Sequence, residues 1–170
     1  GSGELLQSVD GYQDFMDAMM AISLVPVVFE EIEGNAKGYF SPKEQKIVVQ
    51  SGMSESQTLK TLVHEISHSL LHDNHNVRVD GIDDVKKTRS SKEVEAESVA
   101  YTVCQHFGID TSDDSFSYVA GWSSGKEMRE LKASMEIIRK TASKVIGEVE
   151  GKMMEMRKER EQNLDRKSTR

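Results

Sequence analysis

The chain has 170 residues, 36% of them hydrophobic and 30% charged, the composition of a soluble globular domain with a real core. Its formal net charge of −7 argues against a nucleic-acid-binding surface covering the whole molecule. A single cysteine, Cys104, excludes an internal disulfide and fits a reducing, cytoplasmic setting.

The opening Gly-Ser-Gly reads as a cloning remnant, so a longer parent protein is expected. Residues 11–23, GYQDFMDAMMAIS, place Phe15, Met16, Met19, Met20 and Ile22 at helical spacing. The most apolar early run, residues 16–29, carries Asp17 and Pro26 and is too short to span a bilayer; its flanks do not suit a signal peptide. PVVFEEI (26–32) is β-prone and is broken by Gly34 and Asn35. KGYF and QKIVVQ read as a hairpin whose turn starts at Ser41-Pro42. A helix follows, with Ser54 or Ser56 as its cap and Leu59, Leu62, Val63, Ile66, Leu70 and Leu71 as its apolar stripe. Residues 73–91 are polar and irregular, the length of a functional loop. Ser90 or Ser91 is the expected cap of a second helix, KEVEAESVAYTVCQHFG, which Gly108 ends. Residues 109–125 form a connector with a short helix expected from Ser112. From Lys126 a long helix carries Leu131, Met135, Ile138, Ala142, Val145, Val149, Met153 and Met156, a core-facing stripe or a coiled-coil seam. Its end, EREQNLDRKSTR, lacks apolar anchors and is expected to fray. The stretch from Lys152 to Arg170 holds seven Lys/Arg against four Asp/Glu, but interspersed acids suit a solvated helix better than a nucleic-acid contact. The division is a core over 1–125 and a long helix over 126–170, packing on the core or extending from it. The mixture of elements is α+β.

The chemistry concentrates in TLKTLVHEISHSLLHD (58–73). His64 and His68 are four apart, so a helix puts them on one face, one turn apart, able to aim two imidazoles at one ion. Glu65 is rotated by about 100° from His64; it is the expected general base for an attacking water. His72 lies eight residues beyond His64, about 12 Å along a straight helix, so both cannot bind one ion; a helix-end or cleft-wall place is expected for it. A third ligand must come from elsewhere. In the second helix Glu93 and Glu97 are i and i+4 and share a face, whereas Glu95 is expected to point away. If the two helices pack together, one carboxylate can complete the ligand set and the other can orient a ligand histidine through its second ring nitrogen.

HEISHSLLH followed by KEVEAESVAY resembles the zincin-type peptidases of the ImmA/IrrE group. It also resembles the metallopeptidase domain of the ArdC-like and LtrC-like antirestriction proteins of conjugative elements, to whose members residues 93–122 are especially similar. The likeness runs from about Ser54 to Trp122, with the small sheet before it. It implies a zincin-like, gluzincin-type fold: a three-stranded sheet, an active-site helix, a glutamate helix and the long C-terminal helix. It implies bound Zn2+ and hydrolysis of peptide bonds in a protein or peptide, such as a regulatory protein of a mobile element. The gluzincin spacing E-x-x-x-D/N carries over as Glu93 for the ligand and Glu97 for the residue orienting a histidine. Glu97 is longer than the usual Asp or Asn, which leaves an exchange of the two roles open.

An oxyanion-stabilising donor is also needed. Tyr39, Tyr101, Tyr118, His75 and His106 are of suitable type, and Tyr118 ranks first because its connector can line the cleft. QKIVVQ can hold an extended peptide by edge pairing or serve as sheet core. Cys104 is expected to be inert packing. A second class of function stands beside the peptidase: an antirestriction-type binding module with the same fold, non-catalytic or using zinc structurally. ArdC-like proteins add a separate single-strand-binding domain, and nothing here resembles one. Neither a membrane nor nucleic acid is an expected partner of this domain alone.

Overall fold

The computed structural model describes residues 9–73, 89–109, 126 and 128–168. Helix α1 (Val9–Ile22) buries Phe15, Ala18 and Met19, the i, i+3, i+4 stripe that its spacing dictates. Three short strands follow: β1 (Val27–Glu30), β2 (Gly38–Ser41) and β3 (Lys46–Gln50). β2 and β3 form the expected antiparallel hairpin, and β1 adds to β3 in parallel, Val27 opposite Ile47. The sheet order is therefore β1-β3-β2. β3 is its centre, with Ile47, Val48 and Val49 fully buried. Of the two readings of QKIVVQ, sheet core holds and peptide pairing at an edge does not: both its edges are taken, and β1 and β2 are the outer strands.

Helix α2 (Glu55–Leu71) starts at Ser54, whose side chain accepts a hydrogen bond from the Gln57 N–H at 3.2 Å. Its stripe of Leu59, Leu62, Val63 and Ile66 is buried against the sheet and the neighbouring helices. Helix α3 (Arg89–His106) begins before the two serines expected to cap it; Ser90 and Ser91 lie in its first turn. Its C-terminus is closed at Gly108, φ +75°: the Gly108 N–H bonds the Gln105 carbonyl and the Ile109 N–H the Cys104 carbonyl. That pair satisfies two carbonyls the helix leaves open and needs a left-handed residue at Gly108. α3 is apolar on several sides because it lies between α2 and the long helix α4 (Met128–Ser168). Phe107, just beyond α3, meets Phe15 of α1 with ring centroids 4.9 Å apart. Cys104 is buried, which pushes its thiol up to about 12 and leaves it as packing.

α4 packs on α1 and α3 through Ala142, Val145, Val149 and Met153. One expectation needs correction here. Met135 is 65% exposed, because the seam at that level runs through Ser134. The helix runs to Ser168 with residues 157–168 exposed, and Arg160 reaches Asp14 of α1. No helix among the described residues is long and apolar enough to cross a membrane. The loop expected over 73–91 and the connector over 109–125 lie almost wholly outside the described residues.

Candidate metal centre

The pairing of α2 with α3 brings together residues 23 or more positions apart in the chain. His64 Nε2 and His68 Nε2 are 3.1 Å apart. Glu93 spans both, with Oε1 3.0 Å from His68 Nε2 and Oε2 3.2 Å from His64 Nε2. Among the described residues these three form the group that could hold a metal ion. The donor set fits one. Ligands about 2.0–2.1 Å from a tetrahedral ion are separated by about 3.3 Å, close to the 3.1 Å between the two imidazole nitrogens, each of which has one Glu93 oxygen beside it. Two soft-to-borderline nitrogens and one carboxylate are also the donor chemistry of a catalytic zinc site with an open position.

Each histidine is held from behind. Glu97 Oε2 lies 3.0 Å from His64 Nδ1, near enough for charge pairing although the angle misses a well-aligned hydrogen bond. Lys60 reaches the other Glu97 oxygen at 3.6 Å. So the structure puts Glu93 at the metal-facing nitrogens and Glu97 at the rear nitrogen. His68 Nδ1 meets His72 Nδ1 at 2.9 Å, and His72 Nε2 meets Glu95 Oε1 at 2.9 Å. The Ser134 hydroxyl of α4 donates to Glu95 Oε2 at 3.0 Å. Glu95 is fully buried. It does point away from the Glu93/Glu97 face, but into a partner that sequence reasoning did not assign. The signal was present in the fourfold spacing from His68 to His72.

The electrostatics follow from this crowding. Burial opposes a charge on His64, but the Glu93 and Glu97 carboxylates and the charge of Glu65 outweigh it and raise its pKa to about 10. Hydrogen bonds from His64 and His68 hold Glu93 well below the usual carboxylate range. Glu97 is lowered too: burial pushes it up, and His64 and Lys60 more than reverse that. Glu65 behaves oppositely. It is buried beside the ligands, and burial raises its pKa despite His64 and His68.

Glu65 also lies beside the sheet. A Cβ on Gly38 of β2 would lie 2.7 Å from Thr61 Cγ2 and 3.5 Å from Glu65 Cγ. Gly38 lets the edge strand approach α2 at the height of Glu65. Because side chains alternate along a strand, Tyr39 faces the opposite side of the sheet from α2, which removes it from the oxyanion candidates. Tyr101 is eight residues beyond Glu93 on α3, about 12 Å along the axis, and is exposed. His106 lies at the far end of α3 and pairs with Glu150. Tyr118 and His75 lie outside the described residues.

No protein-family model matches the chain, and no solved structure matches it. Over 121 residues it is 34% identical to an uncharacterized protein of Bacillus anthracis. The aligned stretch is 71% of this chain and 19% of that protein, so the chain spans about a fifth of the relative's length.

Proposed function

We propose that this chain is a zinc-dependent peptidase domain of the zincin type, akin to the ImmA/IrrE group and to the metallopeptidase domain of ArdC-like and LtrC-like proteins. One observation carries the reading: two imidazoles from α2 and one carboxylate from α3 converge, the two Nε2 atoms 3.1 Å apart and one Glu93 oxygen within 3.0–3.2 Å of each, with Glu65 buried on the same turn as His64. A divalent ion held there supplies polarisation of a substrate carbonyl and acidifies a water. Glu65, its proton affinity raised by burial, takes a proton from the attacking water and returns it to the departing amine. Glu97 and Lys60 keep His64 turned toward the site. β2, an outer strand among the described residues and packed against α2, is placed to pair with an extended peptide beside Glu65.

The test compares wild type with Glu65→Gln for metal content and for cleavage of a quenched-fluorescent peptide library and of candidate regulatory proteins. The expected result is about one zinc per chain in both proteins, with hydrolysis falling by about 10²–10⁴-fold in the variant. Equal cleavage by both proteins, or no metal in protein purified without chelators, overturns the reading. Zinc bound by a wild type that cleaves nothing favours the antirestriction-type binding module with a structural metal.

A further inference from the structure

We propose that Gln45 is a positioning residue: its side-chain amide ties the turn of the β2–β3 hairpin to Asp73 at the exit of α2 and so fixes the spacing of the cleft in which a substrate peptide lies. The inference rests on the peptidase reading and extends it to a contact at the far end of the hairpin. Gln45 Nε2 donates to the Pro42 carbonyl at 2.8 Å and to the Asp73 carboxylate, 3.1 Å from Oδ2 and 3.3 Å from Oδ1. Both partners are acceptors, so the amide nitrogen and not its oxygen faces them, and both its hydrogens are used. One bond closes the turn on itself; the other crosses to a residue 28 positions further on. Each of the two residues stands where its own element does not favour it. Gln45 has φ +52°, the left-handed region that suits glycine or asparagine, and among the described residues no other non-glycine adopts a positive φ. Asp73 puts a negative charge just past the C-terminus of α2, the negative end of the helix dipole. Local preference selects neither residue, and the contact between them is what they share.

The tie matters because of what β2 faces. The Gln50 N–H donates to the Lys37 carbonyl at 2.8 Å, and backbone polar groups alternate sides along a strand. Those of Tyr39 and Ser41 therefore face β3, and those of Gly38 and Phe40 face the outer edge. Gly38 is the residue that lies beside Glu65. A peptide pairing with Gly38 and Phe40 is carried at the height of the candidate base, and its distance from the metal ligands follows the distance of β2 from α2. That spacing is held before the strand by Lys37 Nζ, which donates to Gln57 Oε1 at 3.2 Å. Within the strand it is held by the close approach of Gly38 to Thr61, and after it by Gln45 on Asp73. The Lys37 bond is exposed and the Gly38 approach is van der Waals packing. The Gln45 bond is partly buried and has a charged acceptor, which makes it the strongest of these.

The experiment uses the full chain, loaded with zinc, as wild type, Gln45→Gly, Asp73→Ala and Asp73→Asn. Michaelis parameters are measured on the best-cleaved member of the quenched-fluorescent library, and backbone amide exchange is followed across residues 38–49. Gln45→Gly breaks the tie while giving the left-handed position its preferred residue, so the hairpin keeps its fold. It and Asp73→Ala should raise KM by about 5–10-fold with kcat within about twofold of wild type, because misplacing the peptide away from the reacting bond removes binding shared by ground and transition states. Amide exchange in the hairpin should quicken in both. Asp73→Asn keeps an acceptor for the Gln45 amide and should hold KM within about twofold of wild type. Wild-type KM and exchange rates in Gln45→Gly and Asp73→Ala would overturn the proposal and leave the peptidase reading standing. Equal rises of KM in Asp73→Ala and Asp73→Asn would also overturn it, since the loss would then follow the charge and not the bond. So would a fall in kcat at unchanged KM. A wild type that cleaves nothing removes the peptidase reading; amide exchange then decides the tie, which unchanged rates in Gln45→Gly overturn and faster rates uphold.

Discussion

Glu65 and Glu93 share one pocket, yet their surroundings drive their proton affinities apart. Burial raises Glu65, whereas two imidazoles lower Glu93. Such divergence is what the proposed roles, Glu65 moving a proton and Glu93 staying ionised, require. It also makes metal-free stability depend on pH with a definite sign. His64 titrates near 10 when folded against 6.5 ordinarily, so its contribution is whole below pH 6.5 and is lost as pH rises toward 10. Glu65, raised from 4.5, also costs the folded state stability as it ionises. Glu93 and Glu97, lowered from 4.5, contribute above that value and lose their contribution as pH falls below it. Urea unfolding of chelated protein should therefore give a higher midpoint at pH 6 than at pH 9 or pH 3.5. A midpoint unchanged between pH 6 and pH 9 would contradict the His64 environment described here.

At the scale of elements, the glycines show which surfaces are closed. A Cβ at Gly38 would press on Thr61 and on the Val48 carbonyl, 3.0 Å away, so the strand and α2 must separate to admit it. Gly38→Ala should cost about 1–3 kcal/mol. In α4 the same added carbon at Gly147 or Gly151 meets nothing within 4 Å. Alanine there should stabilise the helix by about 0.8–1 kcal/mol at each position. Denaturant titration of the three single variants should give changes of opposite sign for β2 and α4. The seam of α4 also shows where pattern reading fails. Hydrophobicity selects Met135, but the turn facing α3 presents Ser134, whose hydroxyl a buried carboxylate requires.

At the scale of the molecule, one apolar cluster among the described residues joins the four described helices and the sheet, with Met153 its last buried member on α4 and Met156 packed at its margin. Residues 157–168 are exposed throughout. Ending the chain after Lys158 removes the Arg160–Asp14 contact and should cost at most about 1 kcal/mol. Phe107→Ala opens the junction of α1 and α3 and should cost about 3–5 kcal/mol. Thermal unfolding of both proteins checks the contrast. A large loss on truncation would mean that the distal helix is structural.

Residues 58–73 alone state that two imidazoles and a carboxylate share a helical turn, because helical periodicity is a local property. The α+β mixture, the cap at Ser54 and the stop at Gly108 are legible for the same reason. The partner of that helix is not. Pairing α2 with α3 depends on which apolar faces bury each other across the long stretch between the two helices, and only the packed molecule decides it. That pairing set Glu93 on the Nε2 atoms of His64 and His68 and Glu97 behind His64. It made β3 the middle of the sheet rather than an edge. It also turned Glu95 and His72, which local geometry sets aside, into a buried pair behind His68. A buried carboxylate survives only where its hydrogen-bond partners converge from other elements, and here those elements are α2 and α4.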